Sequence, residues 1–290
     1  MATSPLDLIT LTTRGGTAVG VRELAGPCLR RLAEDPAELL AENLSRPVKL
    51  GPSGLIVVVD LAAADHAIRV AFKQYRPRNW WKGIWGLVRP SRARQAWRHA
   101  QTLLSRGVAT ARPIAACQPR GWRWRGVSYL ATGWIDGAEN LHQYGWRLGQ
   151  QPLGCRLAQA GQCAESLGRL LGRMHAAGIA HRDLKATNLL VVASAEGVTT
   201  SIIDLDGVHV LHPPYGKKCR LSRFASNLGR LAAGLEAHRW VTRSICRRFL
   251  RAYAAEFPPG TIAWKWFWRR IADEAGRIVR RKRRRGKPLL

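Results

Sequence analysis

Apolar and polar residues in the first half of the chain are spaced in a way that predicts a β-hairpin, a helix and two further strands. Two β-branched runs, LIVVVDLAA and HAIRVAFKQY, are separated by a short turn, which is typical of a hairpin. The segment 91–107 carries Trp97, Leu103 and Leu104 at helical spacing and ends on a glycine, as helices commonly do. The runs ATARPIAACQ and VSYLATGWI then predict two more strands.

After Asp136 and Gly137 the pattern becomes helical. The segment 157–178 is amphipathic and also ends on a glycine. Two short apolar runs follow, NLLVVA and TSIIDL, and then three segments with helical periodicity: SRFASNLGRLAAGLE, TRSICRRFLRAYAAEF and TIAWKWFWRRIADEAGRIV.

This order of elements predicts an α+β chain with two lobes. We expect a helical N-terminal extension over 1–44, a small β-rich lobe over 45–135 and a larger helical lobe over 136–275. The last stretch, 276–290, is a basic tail for which the composition predicts disorder.

The charge balance indicates an anionic partner. Lys and Arg number 47 against 19 Asp and Glu, a formal net charge of +28. Such a field favours nucleic acid, an anionic membrane surface or a phosphorylated or carboxylated glycolipid. A solvated basic exterior without a dedicated partner is the alternative.

The six cysteines form no Cys-x-x-Cys pair, which argues against a zinc site or a disulfide framework. The N-terminal residues lack the pattern of a secretory signal, and no apolar run approaches the length of a membrane span. We therefore expect a cytoplasmic chain whose contact with a membrane is peripheral.

The candidate chemistry lies in HRDLKATN (181–188) and in SIIDLDGV further on. Phosphoryl transfer needs a carboxylate near the attacking hydroxyl, ligands for metal ions and a cation near the transferred phosphate. HRDLKATN resembles the catalytic loop of protein kinases, which implies that Asp183 is the catalytic base and Lys185 the cation. In the same resemblance, Asn188 and Asp204 are the ligands of Mg²⁺. A polar turn explains any one of these residues, but not the whole set.

The first lobe supplies the candidate nucleotide-binding residues. Lys73, in the second strand of the predicted hairpin, matches the lysine that holds the phosphates of ATP in kinases. Gly51 and Gly54, in KLGPSG, are a reduced form of the glycine-rich loop and are also compatible with a simple turn. Gly133 and Trp134, near the boundary of the lobes, complete the candidate set for ATP.

Several stretches together resemble the lipopolysaccharide core kinases, the Kdo/heptose kinase family. They are FKQYRPR, SRARQAWR with SRGVATARPIA, YLATGWIDGAENL, HRDLKATN and IIDLDGV. The resemblance covers about residues 45–255 and implies a bilobal, protein-kinase-like fold, ATP and Mg²⁺ as cofactors, and the roles given above. The chain departs from the family at Ala96, where a Glu is common; Gln95 and Gln101 are the nearby polar alternatives.

Asp206 stands where regulated protein kinases keep the glycine of Asp-Phe-Gly, and a non-glycine residue there disfavours a backbone flip. Only a short segment separates Asp206 from the next predicted helix, without the Ala-Pro-Glu anchor of protein kinases. A peptide substrate needs a longer platform, so a small or lipid-linked acceptor is favoured.

The 12 tryptophans cluster with basic residues in RNWWKGIWGLVRP (78–90), GWRWRG (121–126) and WKWFWRR (264–270). For 78–90 we favour a membrane-interfacial loop, since Trp prefers that interface and Lys and Arg are attracted to anionic lipid. For 264–270 we favour packing in the core. RNA stacking would use similar residues, but no RNA-binding motif accompanies them, so no specific nucleic acid is expected.

The sequence thus predicts an ATP- and Mg²⁺-dependent kinase that phosphorylates a sugar hydroxyl of an anionic, lipopolysaccharide-like glycolipid. We expect it on the cytoplasmic face of the membrane. The alternatives are an atypical protein or small-molecule kinase, and a kinase-like nucleotide-binding protein without catalysis.

Overall fold

The computed structural model describes residues 8–45, 47–51, 54–77, 90–121, 126–211, 216–238 and 240–286. The chain divides into two compact units. The first comprises Met1–Ser105 and Ala111–Ile135, and the second comprises Arg106–Thr110 and Asp136–Leu290.

The first unit is built on an antiparallel sheet. Its elements are β1 (Leu8–Thr12), β2 (Gly16–Val21), α1 (Gly26–Glu34), α2 (Pro36–Glu42), β3 (Pro47–Gly51), β4 (Gly54–Ala62), β5 (Ala67–Tyr75), α3 (Arg92–Ser105), β6 (Pro113–Pro119) and β7 (Ser128–Gly133). The strand order is β1-β2-β6-β7-β5-β4-β3. The predicted hairpin is confirmed as β4 and β5, in a register that places Ile56 opposite Lys73.

The N-terminal segment differs from the predicted helical extension. It contains the two short helices α1 and α2, but β1 and β2 precede them and continue the sheet through the pairing of β2 with β6. The buried positions of β2 include Ala18 and Gly20. Residues this small give a weak apolar alternation, which is why the sequence did not predict the strand.

The second unit is mainly helical. Its elements are β8 (Glu139–Asn140), α4 (Leu141–Gly149), α5 (Leu153–Ala176), β9 (Ile179–His181), β10 (Leu189–Ser194), β11 (Gly197–Ile202), β12 (Val208–Val210), α6 (Lys217–Leu235), α7 (Arg243–Ala254) and α8 (Trp264–Arg284). β10 pairs with β11 and β8, and β9 pairs with β12.

Small residues let the helices approach closely. A Cβ added at Gly168 of α5 would lie 2.4 Å from the carbonyl oxygen of Phe249 on α7, and one at Gly172 would lie 2.8 Å from that of Tyr253. α6 packs in the same way against α8, where a Cβ at Gly229 would lie 2.6 Å from Glu274. The four helices surround a largely apolar cavity of about 680 Å³.

The C-terminal helix α8 continues beyond residue 276, where the sequence predicted a disordered tail. Ile278 and Val279 are buried against Ala233 of α6, and these contacts hold the basic turns that follow in a helix. Cations are favoured at that helix end by the helix dipole.

The N-terminal turns of α8 also differ from the core packing that we expected for 264–270. Phe267 is fully buried, whereas Trp264 and Trp268 are 39% and 46% exposed. The reason is helical periodicity, since Phe267 and Ile271 share the face that packs inward. Among the residues that the structure describes, no helix combines the length and the apolar character needed to cross a membrane.

The second unit includes a short segment from the connection between α3 and β6. Ile202 N–H donates to the carbonyl oxygen of Ala109 (3.0 Å), and Thr110 Oγ1 donates to that of Ile202 (2.7 Å). Arg106 Nη1 donates to the carbonyl oxygen of Ala177 (2.6 Å). The second unit is therefore not contiguous in sequence.

A neutral histidine lies in the centre of the helical unit. His175 is fully buried, stacks on Phe224 with ring centroids 4.3 Å apart, and lies 2.8 Å from Tyr253 OH through Nδ1. Its Nε2 lies 3.3 Å from Asn227 Oδ1, an atom that only accepts. Nε2 therefore carries the proton, and Nδ1 accepts from the Tyr253 hydroxyl. Burial lowers the pKa of His175 to about 3.

This pKa predicts a loss of stability in acid. Unfolded histidine takes up a proton below pH ~6.5 and folded His175 does not, so the unfolded chain binds more protons between these two pKa values. The free energy of unfolding should therefore fall with pH below ~6.5, by about 2 kcal/mol at pH 5 from this residue. Urea denaturation of the chain at pH 7.5 and pH 5 measures the loss.

The control is His175→Gln, which removes the titrating group and keeps a polar side chain. Relative to wild type, the variant should lack this increment of the pH dependence. An equal slope in both proteins between pH 7.5 and pH 5 would contradict the prediction.

Candidate active site

The candidate catalytic residues of the second unit lie on a strand–loop–strand segment. β9 ends at His181, a single 3₁₀ turn covers Ala186–Asn188, and β10 begins at Leu189. β12, which follows the Asp204 turn, pairs antiparallel with β9, with Val208 opposite His181. The pairing brings the turn that carries Asp204 next to the loop that carries Asp183.

His181 connects these two turns. Its side chain is buried, its Nδ1 accepts a hydrogen bond from Asp183 N–H (3.2 Å), and its Nε2 donates to the carbonyl oxygen of Asp204 (3.0 Å). Only a neutral imidazole with the proton on Nε2 makes both bonds. Burial lowers the pKa of His181, although the bond to Asp204 opposes the shift, so the required form is the stable one.

The side chain of Asn227, on α6, holds the backbone of His181 in place. Its Oδ1 accepts from the backbone N–H of His181 (2.8 Å) and also from His175 Nε2. The strand that begins the catalytic loop is thereby anchored to the buried histidine of α5. A buried amide with two partners fixes one arrangement of the backbone, because leaving either partner unpaired is costly.

Asp183 and Lys185 form an ion pair. Lys185 Nζ lies 2.9 Å from Asp183 Oδ2, and the two side chains are 44% and 53% exposed. At such exposure the pair adds little stability. Its geometry instead places a carboxylate and an ammonium side by side at the surface of the unit, open to an incoming hydroxyl and phosphate.

The side chain of Asn188 is buried and contacts the backbone of Asp183. Its Nδ2 donates to the carbonyl oxygen of Asp183 (2.9 Å), and its own backbone carbonyl accepts from Ile203 N–H (2.9 Å). The amide orientation therefore leaves the side-chain oxygen Oδ1 for another donor or a cation. Asn188 thus joins the Asp183 loop to the strand that leads to Asp204.

Asp204 has a left-handed backbone, with φ 62° and ψ 61°. Among the described residues it is the only one other than glycine with positive φ. A conformation of this kind costs about 1 kcal/mol or more and is concentrated at functional sites. Here it is held by the hydrogen bond from His181 to the Asp204 carbonyl.

Gly207 has a steric role in the same turn. A Cβ at this position would lie 2.7 Å from the ring of His181, closer than such contacts occur. The backbone carbonyl of Gly207 also accepts from Arg182 N–H (2.8 Å). The glycine that this turn requires is thus the residue after Asp206.

The donor set fits a hard cation such as Mg²⁺. Asp204 offers a carboxylate and Asn188 an amide oxygen, the ligand types that Mg²⁺ prefers. Within the described ranges, no three His, Cys, Asp or Glu side chains converge as a metal site.

In the first unit, Lys73 lies on β5 with Nζ 4.5 Å from the centre of the Tyr75 ring. Arg92, at the start of α3, lies over the same ring at 4.9 Å. Ala96 is buried on α3, whereas Gln95 on the same helix is exposed. The first unit thus concentrates two cations around Tyr75.

The other nucleotide-binding candidates lie on the same sheet. Gly51 and Gly54 pair with each other at the β3–β4 turn, and a Cβ at Gly54 would lie 2.3 Å from the carbonyl oxygen of Gln74. Gly133 ends β7 opposite Val70. The backbone N–H of Trp134 donates to the carbonyl oxygen of Arg69 (2.9 Å), and its side chain is 37% exposed.

The structure therefore brings Asp183, Lys185, Asn188 and Asp204 together in the second unit. In the first unit it places Lys73, Gly51, Gly54 and Gly133 on the sheet, with Trp134 directly after β7. The tryptophan clusters at 80–85 and 122–124 lie outside the described residues. Sequence reasoning missed the residues that support the site: His175, Asn227 and Gly207. The available signal was a polar residue on the apolar face of a predicted helix, at His175 in α5 and Asn227 in α6.

Two comparisons identify curated and solved relatives. A 3-deoxy-D-manno-octulosonic acid kinase of Xanthomonas euvesicatoria pv. vesicatoria (strain 85-10) is 30% identical over 168 residues, which is 56% of this chain and 60% of the relative. The corresponding kinase of Xanthomonas oryzae pv. oryzae (strain PXO99A) gives the same identity and coverage. The matched region thus spans about 60% of the length of these curated relatives.

The solved structure of WaaP in complex with acyl carrier protein is similar with a TM-score of 0.55 and 21% identity, over 87% of this chain and 98% of that chain. This likeness confirms the predicted α+β, bilobal, protein-kinase-like fold.

A family model matches residues 73–253, a span that begins at Lys73 and includes the whole HRDLKATN loop and the Asp204 turn. The match covers more than half of the 290 residues. The chain belongs to the lipopolysaccharide kinase (Kdo/WaaP) family.

Proposed function

We propose that this protein is a kinase that transfers a phosphoryl group from ATP to a sugar hydroxyl of a lipopolysaccharide-like glycolipid. The observation that carries the proposal is the arrangement of Asp183, Lys185, Asn188 and Asp204 around the buried imidazole of His181. The family to which the chain belongs, and the 3-deoxy-D-manno-octulosonic acid kinases among its relatives, support a sugar as the acceptor.

In the proposed reaction, Asp183 orients the acceptor hydroxyl and receives its proton as the oxygen attacks the terminal phosphorus of ATP. The bond from that phosphorus to the bridging oxygen breaks, and ADP leaves. Lys185, 2.9 Å from Asp183, supplies positive charge beside the transferred group. Asn188 and Asp204 would hold Mg²⁺, which when bound neutralises charge on the phosphates. Lys73 would hold the phosphates of ATP, the role that the resemblance to kinases implies.

The short segment after Asp206 supports a small or lipid-linked acceptor. β12 ends at Val210 and α6 begins at Lys217, so six residues connect them. A protein kinase uses the corresponding region as a platform for its peptide substrate. A sugar hydroxyl needs no such platform, since the oxygen alone must reach Asp183.

We further propose that the protein acts at the cytoplasmic face of the membrane. A glycolipid acceptor resides in a membrane, and the net charge of +28 favours an anionic surface. The similar WaaP structure is a complex with an acyl carrier protein, so a carrier protein is a second partner to test.

Nucleotide binding is tested by thermal denaturation with ATP and Mg²⁺. ATP with Mg²⁺ should raise the melting temperature of wild type, because ligands that bind only the folded state stabilise it. Asp204→Asn should abolish the rise, since it removes the carboxylate charge with little change in shape. Asp273→Asn, on an exposed position of α8, is the matched control and should keep it; a full rise in Asp204→Asn would refute the assigned role.

Transfer is tested with labelled ATP and a lipopolysaccharide-like acceptor that carries 3-deoxy-D-manno-octulosonic acid. Asp183→Asn should lower the rate about 10²- to 10⁴-fold, the usual contribution of a general base. The stabilisation by ATP and Mg²⁺ should remain, which separates loss of chemistry from loss of binding. Wild-type rates in the variant would contradict the assignment, and nucleotide binding without transfer to any envelope lipid would favour the non-catalytic alternative.

The positioning role of His181 is tested through Gly207. Gly207→Ala places a methyl group against the His181 ring and should lower kcat at least about tenfold, because a displacement near 1 Å can cost two orders of magnitude. Gly216→Ala is the control, since the structure offers open space there and an ordinary φ. Equal kcat values for both variants would show that the close contact between Gly207 and the His181 ring is not needed for activity.

A further inference from the structure

Three exposed apolar side chains lie where α4 ends and α5 begins, at the α4–α5 corner of the helical unit. Leu153 and Leu157, in the first turns of α5, are 62% and 42% exposed, and Trp146 near the end of α4 is 51% exposed. Leu153 and Leu157 are four residues apart and so lie on one helix face. Large apolar groups that are exposed together indicate an interaction surface.

The chain segment that carries these side chains is basic. Between Glu139 and Glu165 the sequence contains no acidic residue, while Arg147 and Arg156 lie among the exposed apolar groups. Arg147 pairs with Glu139, 2.7 Å away, and Arg156 donates to the carbonyl oxygen of Gly149 (3.2 Å). Both arginines are thereby held close to the α4–α5 corner.

The basic end of α8 lies at the same end of the unit. The residues Arg280 to Arg285 are six consecutive cations. Arg283 Nη2 lies 2.7 Å from Glu236, which directly follows α6. Two residues later, the ring of His238 lies 5.2 Å from that of Trp146. These contacts place the cations beside the exposed apolar corner.

The apolar surface also continues inward from the corner. Along α5 the same stripe passes from Leu157 to Ala160, Ala164 and Leu167, which line the cavity between the helices. Trp240 and Arg283 line the cavity at this end of the unit. The exposed leucines are thus the outer part of one amphipathic face rather than isolated surface residues.

We propose that the α4–α5 corner and the basic end of α8 form a docking surface for an anionic phospholipid bilayer. Trp146, Leu153 and Leu157 enter the interface, and the cations from Arg280 to Arg285 contact lipid headgroups. Tryptophan and leucine beside a cluster of arginines have the chemistry of an interfacial anchor. Nucleic acid would use the cations but gains nothing from aliphatic leucines.

This proposal deepens the membrane location given above and rests on it, but its test requires no catalysis. The experiment is flotation of the whole chain with vesicles of phosphatidylcholine alone or with about 30% phosphatidylglycerol. Wild type should float with the anionic vesicles, more weakly with the neutral ones, and less as NaCl rises from about 0.1 M to 0.5 M. Phosphate transfer to a detergent-solubilised acceptor is measured separately, so a failure of docking and a failure of the kinase assignment are distinguishable.

Two sets of variants test the two parts of the surface. Arg281→Gln, Arg284→Gln and Arg285→Gln should each weaken binding to anionic vesicles about fivefold, from about 1 kcal/mol per cation. The double variant Leu153→Gln and Leu157→Gln should weaken it at least about tenfold, because both side chains lose apolar burial. Melting temperatures and circular dichroism confirm that the variants fold.

The matched control is the double variant Trp264→Gln and Trp268→Gln. It removes two exposed apolar side chains beside basic residues at the opposite end of α8, which is about 30 Å long. The control should bind like wild type. The proposal is overturned if wild type does not float with anionic vesicles. It is also overturned if both double variants lose vesicle binding equally, or if only the control loses it. Binding of the chain to an acidic protein without flotation would overturn it as well and would assign the surface to a protein partner.

Discussion

The site depends on the two hydrogen bonds that the neutral imidazole of His181 makes to backbone groups. One nitrogen accepts from Asp183 N–H and the other donates to the Asp204 carbonyl, so one ring sets the separation of the two turns. The left-handed conformation of Asp204 and the glycine at 207 both follow from this contact. Burial of the His181 ring away from water keeps the imidazole uncharged. A proton on Nδ1 would remove the acceptor for Asp183 N–H and so break that hydrogen bond.

The support of His181 extends through the helical unit. Asn227 receives hydrogen bonds from both His181 and His175, and Tyr253 completes the chain of buried polar contacts. These groups come from α5, α6, α7 and β9, so the position of the Asp183 backbone is set by the packing of all four elements. A buried network of this kind favours one geometry because each partner depends on the others. Rigid support suits a site whose main task is to align two substrates.

Much of the fold could be predicted, and the candidate site residues could be proposed, because their signals are local. The β4–β5 hairpin, α3, α5 and the HRDLKATN loop each carry a periodicity or a motif within a single segment. β2 was missed since its buried residues are too small to produce an alternation, and the end of α8 was missed because Ile278 and Val279 find their partner only in the folded chain. Asn227 and Gly207 act through contacts with His181, from positions that sequence spacing alone does not bring together.

The passage of the chain through Arg106–Thr110 has a consequence for the order in which the protein is assembled. These five residues belong to the helical unit, although the flanking residues on both sides belong to the sheet unit. Ala177 is 71 residues from Arg106 and Ile202 is 92 residues from Thr110 along the chain. All residues of the sheet unit are therefore synthesised before the partners of this segment. Neither unit is encoded by a contiguous part of the gene. A truncated protein that begins at residue 136 would lack the segment whose Thr110 pairs with Ile202 of β11.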